Sequence, residues 1–296
     1  MSFWHIFYGV SNPPLKHILS RVAGKSIFQS FYSQDGRGMD WNGKKAAFTL
    51  SFDFDNRKDL AYLPETLEVL ECYGVKASFA CVGKFVEESP REYGNIVEKR
   101  HEIINHTYSH PNCPGLNERK YNEISFEERK EEIFKCNEVC KKLLNCSPTG
   151  FRTPHFGSQH TADTYKILEE LGYTYSSSTI AIRTPKRGLP FNVGGILEIP
   201  VSICPRHPFN VFDSFHSFRS KWARHTDEEF SGLFQELLKT GIANGLLINV
   251  YFDVHDFFEN SKPRVFENML EFLNDKRSDV WVAKTGEIAE YYRGKT

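Results

Sequence analysis

From Lys45 onward, short apolar runs alternate with longer amphipathic ones, and this alternation limits the chain to few architectures. "AAFTLSFDF", "VKASFACVG", "EIIN", "PTGFRTP", "GILEIPVS", "LLINVYFDV" and "DVWVAK" read as strands. Between them, "DLAYLPETLEVLECYG", "PREYGNIVEKRH", "SFEERKEEIFKCNEVCKKLLN", "TADTYKILEELGY", "DEEFSGLFQELLKTGIANG" and "PRVFENMLEFLND" read as helices, with "GEIAEYYR" closing the chain. Strands separated by helices of this length predict an α/β fold with a parallel sheet, open or closed into a barrel. The section "CPRHPFNVFDSFHSFRSKWARH" breaks the alternation and reads as a functional loop, with aromatic residues between Phe209 and Trp222 as candidates for a ligand-binding rim or simple packing.

Residues 1–45 stand apart as an N-terminal extension, and 46–296 form the main domain. "PPLKHILSRVAGKSIFQSF" predicts a short amphipathic helix that packs on the parent domain, followed by the loop "SQDGRGMDWNGKK". With 37 basic and 38 acidic residues the net charge is -1, so no bulk field recruits nucleic acid or an anionic membrane. No run reaches the roughly 18 apolar residues of a transmembrane helix. "MSFWHIFYGV" lacks the basic start and long apolar run of a signal peptide, and the seven cysteines are an odd number without a paired framework. Both features predict a cytoplasmic protein with free thiols. Zinc binding by Cys136, Cys140 and Cys146 is a weaker reading than buried or surface thiols.

Reactive groups of α/β proteins collect at the carboxyl ends of parallel strands. Four stretches hold that position: "DFD" with Asp53 and Asp55, "NHTYSH" with His106 and His110, "FRTPHF" with Arg152 and His155, and "DVHDF" with His255. Side chains two apart on a strand point to the same face, so Asp53 and Asp55 repel unless a proton or cation lies between them. The H-x-x-x-H spacing would put two imidazoles on one face of a helical turn, and with one carboxylate they make a three-ligand site for a divalent cation. One aspartate then binds the ion and the other stays free. Arg152, always charged, would lower the pKa of that free acid and orient it. Pro154 restricts the backbone beside His155. His255 is a candidate proton donor. Each of these residues alone has a structural explanation; the combination is what carries weight.

In order and content these stretches resemble the polysaccharide deacetylases of carbohydrate esterase family 4, which share the NodB homology domain. The resemblance runs from about Ala46 to Tyr292 and rests mostly on "HEIINHTYSHPN" and "FRTPHFGSQHTADTYKILEELGYTYSSS". It implies a distorted (β/α) barrel of about seven parallel strands and metal-dependent removal of an N-acetyl group from an N-acetylated amino sugar, the carbohydrate partner. By position, Asp53 matches the family's base and Asp55, His106 and His110 its metal ligands. Arg152 matches the residue that orients the base, and His255 the acid. The metal implied is zinc by default, with iron, cobalt or nickel also accepted by such a donor set. Three departures stand out. Phe54 separates the two aspartates, a spacing that resembles a subset of the family. His155 stands where a tyrosine is usual, its backbone N–H serving the oxyanion in this reading. The family's aspartate–tryptophan motif is not evident in Cys204–Trp222. Two rival readings keep the fold: a small-amide hydrolase of the allantoinase-like branch, and a non-catalytic carbohydrate-binding protein.

Overall fold

The structure, a computed structural model, describes residues 12–33, 39–259 and 262–295. The stretch read for a signal peptide and part of the glycine-bearing loop lie outside them. The chain forms two compact units, one of Met1–Thr49, Ile180–Leu189 and Pro200–Ala283, the other of Leu50–Thr179, Pro190–Ile199 and Lys284–Thr296. The strand β1 (Ala46–Phe54) contributes its first residues to the former and its last to the latter, and every residue of it is buried.

The second unit carries the longer run of sheet. Its strands are the end of β1, β2 (Ser78–Cys81), β3 (Glu102–Asn105), β4 (Gly150–Phe151), β5 (Tyr175–Ser176), β6 (Phe191–Val193) and β7 (Ile196–Glu198), in the order β6-β7-β5-β4-β3-β2-β1. All neighbours are parallel except β6 and β7. That antiparallel pair is a hairpin closed by Gly194 and Gly195, with φ of +59° at Gly194, a conformation that glycine adopts without Cβ strain. The sequence reading has neither this hairpin nor β5. Its seven parallel strands become nine strands among the described residues, mostly parallel, and the α/β class holds.

The helices of this unit are α2 (Arg57–Ala61), α3 (Leu63–Cys72), α4 (Gly83–Glu88), α5 (Pro90–Glu98), α6 (Phe126–Leu144), α7 (Thr164–Glu170) and α11 (Thr285–Arg293). The helix expected over "DLAYLPETLEVLECYG" is two helices, because Pro64 lacks an N–H and begins a new helix in α3. The long α6 starts at a capping box between Ser125 and Glu128 and stops at Asn145 in the left-handed region (φ 50°). Its buried Ile133, Cys136, Val139 and Cys140 face inward. Cys136 donates to the Cys81 carbonyl; Cys136, Cys140 and Cys146 do not form a group of converging donor atoms among the described residues, and all seven cysteines are free thiols.

In the first unit, α1 (Pro13–Tyr32) is capped by Asn12 and buries Ile27, Phe28, Phe31 and Tyr32. The Tyr32 hydroxyl accepts from the Ile203 amide at 3.2 Å, which fixes the helix to the segment after β7. A Cβ on Gly24 would lie 2.2 Å from the Arg206 carbonyl oxygen, so this close approach requires glycine. The unit also holds α8 (Asp227–Asn244), β8 (Leu247–Asp253), α9 (His255–Phe258), α10 (Pro263–Asp275) and β9 (Val280–Val282). Ala47 donates to the Leu246 carbonyl and Ala283 to the Phe48 carbonyl, so β1 is bonded along both edges here. The aromatic loop is mostly core: Phe209, Phe212 and Phe218 are buried, with Phe212 and Phe218 packed on Phe230, while Phe215 and Trp222 are exposed. Among the described residues no helix is long and apolar enough to cross a membrane.

Candidate active site

Asp53 is the last residue but one of β1, and Asp55 follows Phe54 at the carboxyl end of the strand. The parallel neighbours β3 and β4 end on the same side of the sheet and bring in His106, His110 and Arg152. Six of the seven residues singled out in the sequence lie in this one unit: Asp53, Asp55, His106, His110, Arg152 and His155.

The H-x-x-x-H stretch is not helical, contrary to the spacing argument. Thr107 and His110 have φ of 65° and 50°, so the chain after β3 turns through left-handed residues. Asn105, the last residue of β3, builds this turn. Its Oδ1 accepts the Thr107 amide at 2.9 Å and its Nδ2 donates to the Ile133 carbonyl at 2.9 Å. The Thr107 hydroxyl accepts the His110 amide, and Glu132 accepts from both the amide and hydroxyl of Ser109, each at 2.7 Å. These local bonds offer the backbone an alternative to the helical ladder.

The outcome is a triangle of donors. Asp55, His106 and His110 each present one ligand atom, all within 4.8 Å of one another. His106 Nδ1 lies 2.8 Å from the Arg152 carbonyl, a contact in which Nδ1–H donates and Nε2 keeps its lone pair. His106 Nε2 and both nitrogens of His110 are buried without an aligned hydrogen-bond partner among the described residues. His110 Nε2 is 3.3 Å from Asp55 Oδ2. Burial disfavours charge on Asp55, but contact with His110 and the nearby imidazoles outweigh it and hold the carboxyl well below its usual range. Burial pushes His106 well down, toward the neutral ligand form. Two imidazoles and a carboxylate with orphaned buried nitrogens suit a divalent transition ion.

Asp53 has a different partner. Arg152, fully buried, donates from Nη1 to Asp53 Oδ1 at 2.7 Å. Its Nε donates to the Ser177 carbonyl at 3.1 Å and its Nη2 to the Ser177 hydroxyl at 3.2 Å. Behind it, the Ser178 hydroxyl accepts the Thr153 amide, and Glu198 accepts the Ser178 amide and the Thr179 hydroxyl. Burial pushes Asp53 up to about 6 against the pull of Arg152, with the Asp55 charge adding to the rise. His155 has φ of 46°, and its ring meets that of His110 edge to face with centroids 4.8 Å apart.

His255 belongs to the first unit, where it begins α9 rather than continuing β8. Its Nε2 lies 3.9 Å from Asp256 Oδ1, and Arg219 Nε lies 3.0 Å from the same oxygen. Arg219 also pairs with Asp253. With a guanidinium on both carboxylates, Asp253, His255 and Asp256 already have their cation.

Sequence reasoning did not single out Asn105, Ser177, Ser178 or Glu198. The polar run "SSST", which begins on the last residue of a buried strand, and an asparagine closing "EIIN", are the signals that could have found them.

Residues 42–176 match the family model for polysaccharide deacetylase. This region belongs to the polysaccharide deacetylase family. A peptidoglycan-N-acetylglucosamine deacetylase of Bacillus cereus is 33% identical over 106 residues, which are 36% of this chain and 36% of that protein. The alignments span about a third of the length of the first curated relatives. Among solved structures, a Mycobacterium smegmatis protein described as a polysaccharide deacetylase matches with TM-score 0.69 at 20% identity, covering 87% of this chain and 93% of that one. An allantoinase also matches with TM-score 0.69, at 13% identity over 86% and 92% of the two chains. At such identities the likeness carries the fold alone, which is that of the polysaccharide deacetylase structures.

Proposed function

We propose that the protein is a metal-dependent hydrolase that removes the N-acetyl group from an N-acetylated amino sugar in a polysaccharide, oligosaccharide or sugar precursor. The observation that carries this reading is the side-by-side arrangement of two differently partnered aspartates. Asp55 lies with His106 and His110, and Asp53 lies against Arg152 instead.

Asp55, His106 and His110 would hold a divalent ion, with zinc the default choice. When bound, it supplies Lewis acidity, polarising an amide carbonyl and making a water more acidic. Asp53 takes the proton of the attacking water at its carboxylate. Its raised pKa of about 6 leaves it ionised at neutral pH yet basic enough for this transfer. Arg152, fixed by Ser177, keeps that carboxylate in one orientation. The backbone N–H of His155 is our choice for a donor to the developing oxyanion. His255 as the acid that protonates the departing amine rests on the resemblance alone.

The test is metal analysis of the purified protein together with acetate release from N-acetylglucosamine oligomers, assayed beside small linear and cyclic amides. Acetate from the sugar supports the reading. Turnover of the small amides alone would favour the allantoinase-like reading, and no turnover by metal-loaded protein would favour a carbohydrate binder.

A further inference from the structure

The irregular segment that interrupts the strand–helix alternation begins at Cys204 and ends at His225, and its two ends meet. Cys204 Sγ lies 3.7 Å from His225 Nε2. The rings of His207 and His225 are parallel to within 11°, with centroids 5.2 Å apart. One donor atom from each of Cys204, His207 and His225 falls within 4.8 Å of the others. All three residues are at least nine-tenths buried; Nδ1 of His207 has no hydrogen-bond partner among the described residues, and it is Nε2 of His225 that faces the sulfur. They all belong to the first unit.

The local backbone wraps a tight turn around the sulfur. Cys204-Pro205-Arg206-His207 is a C-x-x-H turn, held by bonds from the Cys204 amide to the Asn210 carbonyl at 3.0 Å and from the Asn210 amide to the His207 carbonyl at 2.9 Å. Burial pushes the Cys204 thiol up to about 12 in the metal-free protein, and the amides of His207 and Arg206, which hydrogen-bond toward Sγ, oppose only part of that rise. The Arg206 charge, which would oppose a cation, is paired with Glu229.

We propose that Cys204, His207 and His225 bind a divalent cation of zinc type, which ties together the two ends of the segment between them. Metal–sulfur and metal–nitrogen bonds of about 2.3 and 2.0–2.1 Å at a tetrahedral angle put S and N about 3.6 Å apart. The observed 3.7 Å matches that edge, and in the metal-free protein the same contact is a thiol–imidazole hydrogen bond. One thiolate and two imidazoles select a borderline-soft ion and leave a fourth position for water. An ion here joins residues 21 positions apart and closes a loop that, apart from a π-helical turn at Phe215–Arg219, has little regular structure of its own.

The donor set at Asp55 has no sulfur, so the two sites are separable by spectroscopy. Full-length protein loaded with Co²⁺ should show sulfur-to-cobalt charge-transfer absorption in the near ultraviolet. The band should persist in Asp55→Ala and in Cys113→Ser, which removes the thiol that contacts His110, and vanish in Cys204→Ser. Absence of the band from wild type, or its survival in Cys204→Ser, overturns the proposal. Should Cys204→Ser not fold, metal analysis of Asp55→Ala decides: about one bound ion per chain supports the site, and none refutes it.

Discussion

Arg152 donates to Asp53 at 2.7 Å while its other nitrogens are held by Ser177, so a buried guanidinium fixes one aspartate and leaves its neighbour, Asp55, to the histidines. A lysine would keep the charge but not the fork that spans both partners. Arg152→Lys should therefore lower kcat by about 100-fold through misplacement of the Asp53 carboxylate, with metal content unchanged. Arg152→Ala should also destabilise the fold by about 3–5 kcal/mol, because it strands a buried carboxylate. Steady-state kinetics, metal analysis and urea melts check both; wild-type kcat in Arg152→Lys would contradict the assignment.

Asn105 touches no reacting atom, yet it shapes the turn that presents both imidazoles. Asn105→Leu removes the acceptor for Thr107 N–H and the donor to Ile133. Metal affinity should fall by roughly 10–100-fold, the usual effect of losing a group that orients ligands. Competition titration against a metallochromic chelator measures this, and an unchanged affinity would mean the turn holds without the side chain.

Gly150 and Tyr175 are register partners in β4 and β5. A Cβ on Gly150 would lie 2.0 Å from Tyr175 Cζ, and the Tyr175 hydroxyl donates to Glu102 at 2.8 Å. Gly150→Ala should lose about 1–3 kcal/mol from overpacking, read as a lower denaturation midpoint. An unshifted midpoint would show that the ring can move aside without cost.

His101 Nδ1 accepts the Ala77 amide at 3.1 Å, a bond that requires an unprotonated nitrogen. Burial first, then the Lys76 charge, lowers its pKa to about 4. The unfolded chain, with a pKa near 6.5, binds the proton more readily. The contribution of His101 is thus fully present above about pH 6.5 and is lost as pH falls toward 4. His101→Gln, which keeps an acceptor but does not titrate, should flatten the acid side of the stability profile over that window. Superimposable profiles would contradict this.

The α/β class was legible because helical and strand periods alternate cleanly, and the strand ends where reactive residues collect followed from it. The hairpin Phe191–Glu198 was missed because each arm is three residues, too short for a period to register. The H-x-x-x-H spacing suggested a helix, but Asn105 and the left-handed Thr107 override it through bonds that spacing cannot reveal. Arg152 was found in the sequence, but not the serines that hold it, since Ser177 reaches it only through the pairing of β4 with β5. The ends of the long loop stand 21 positions apart in sequence, and only the fold brings Cys204 and His225 together.

The central claim is that Asp53 acts as the base beside a metal it does not ligate. The most direct measurement compares Asp53→Asn with wild type at matched metal content, following acetate release from N-acetylglucosamine oligomers. The account predicts full metal occupancy in the variant and a fall in kcat of at least about 100-fold, the usual scale of general-base catalysis. Turnover near the wild-type rate, or loss of the ion on this substitution, would contradict it.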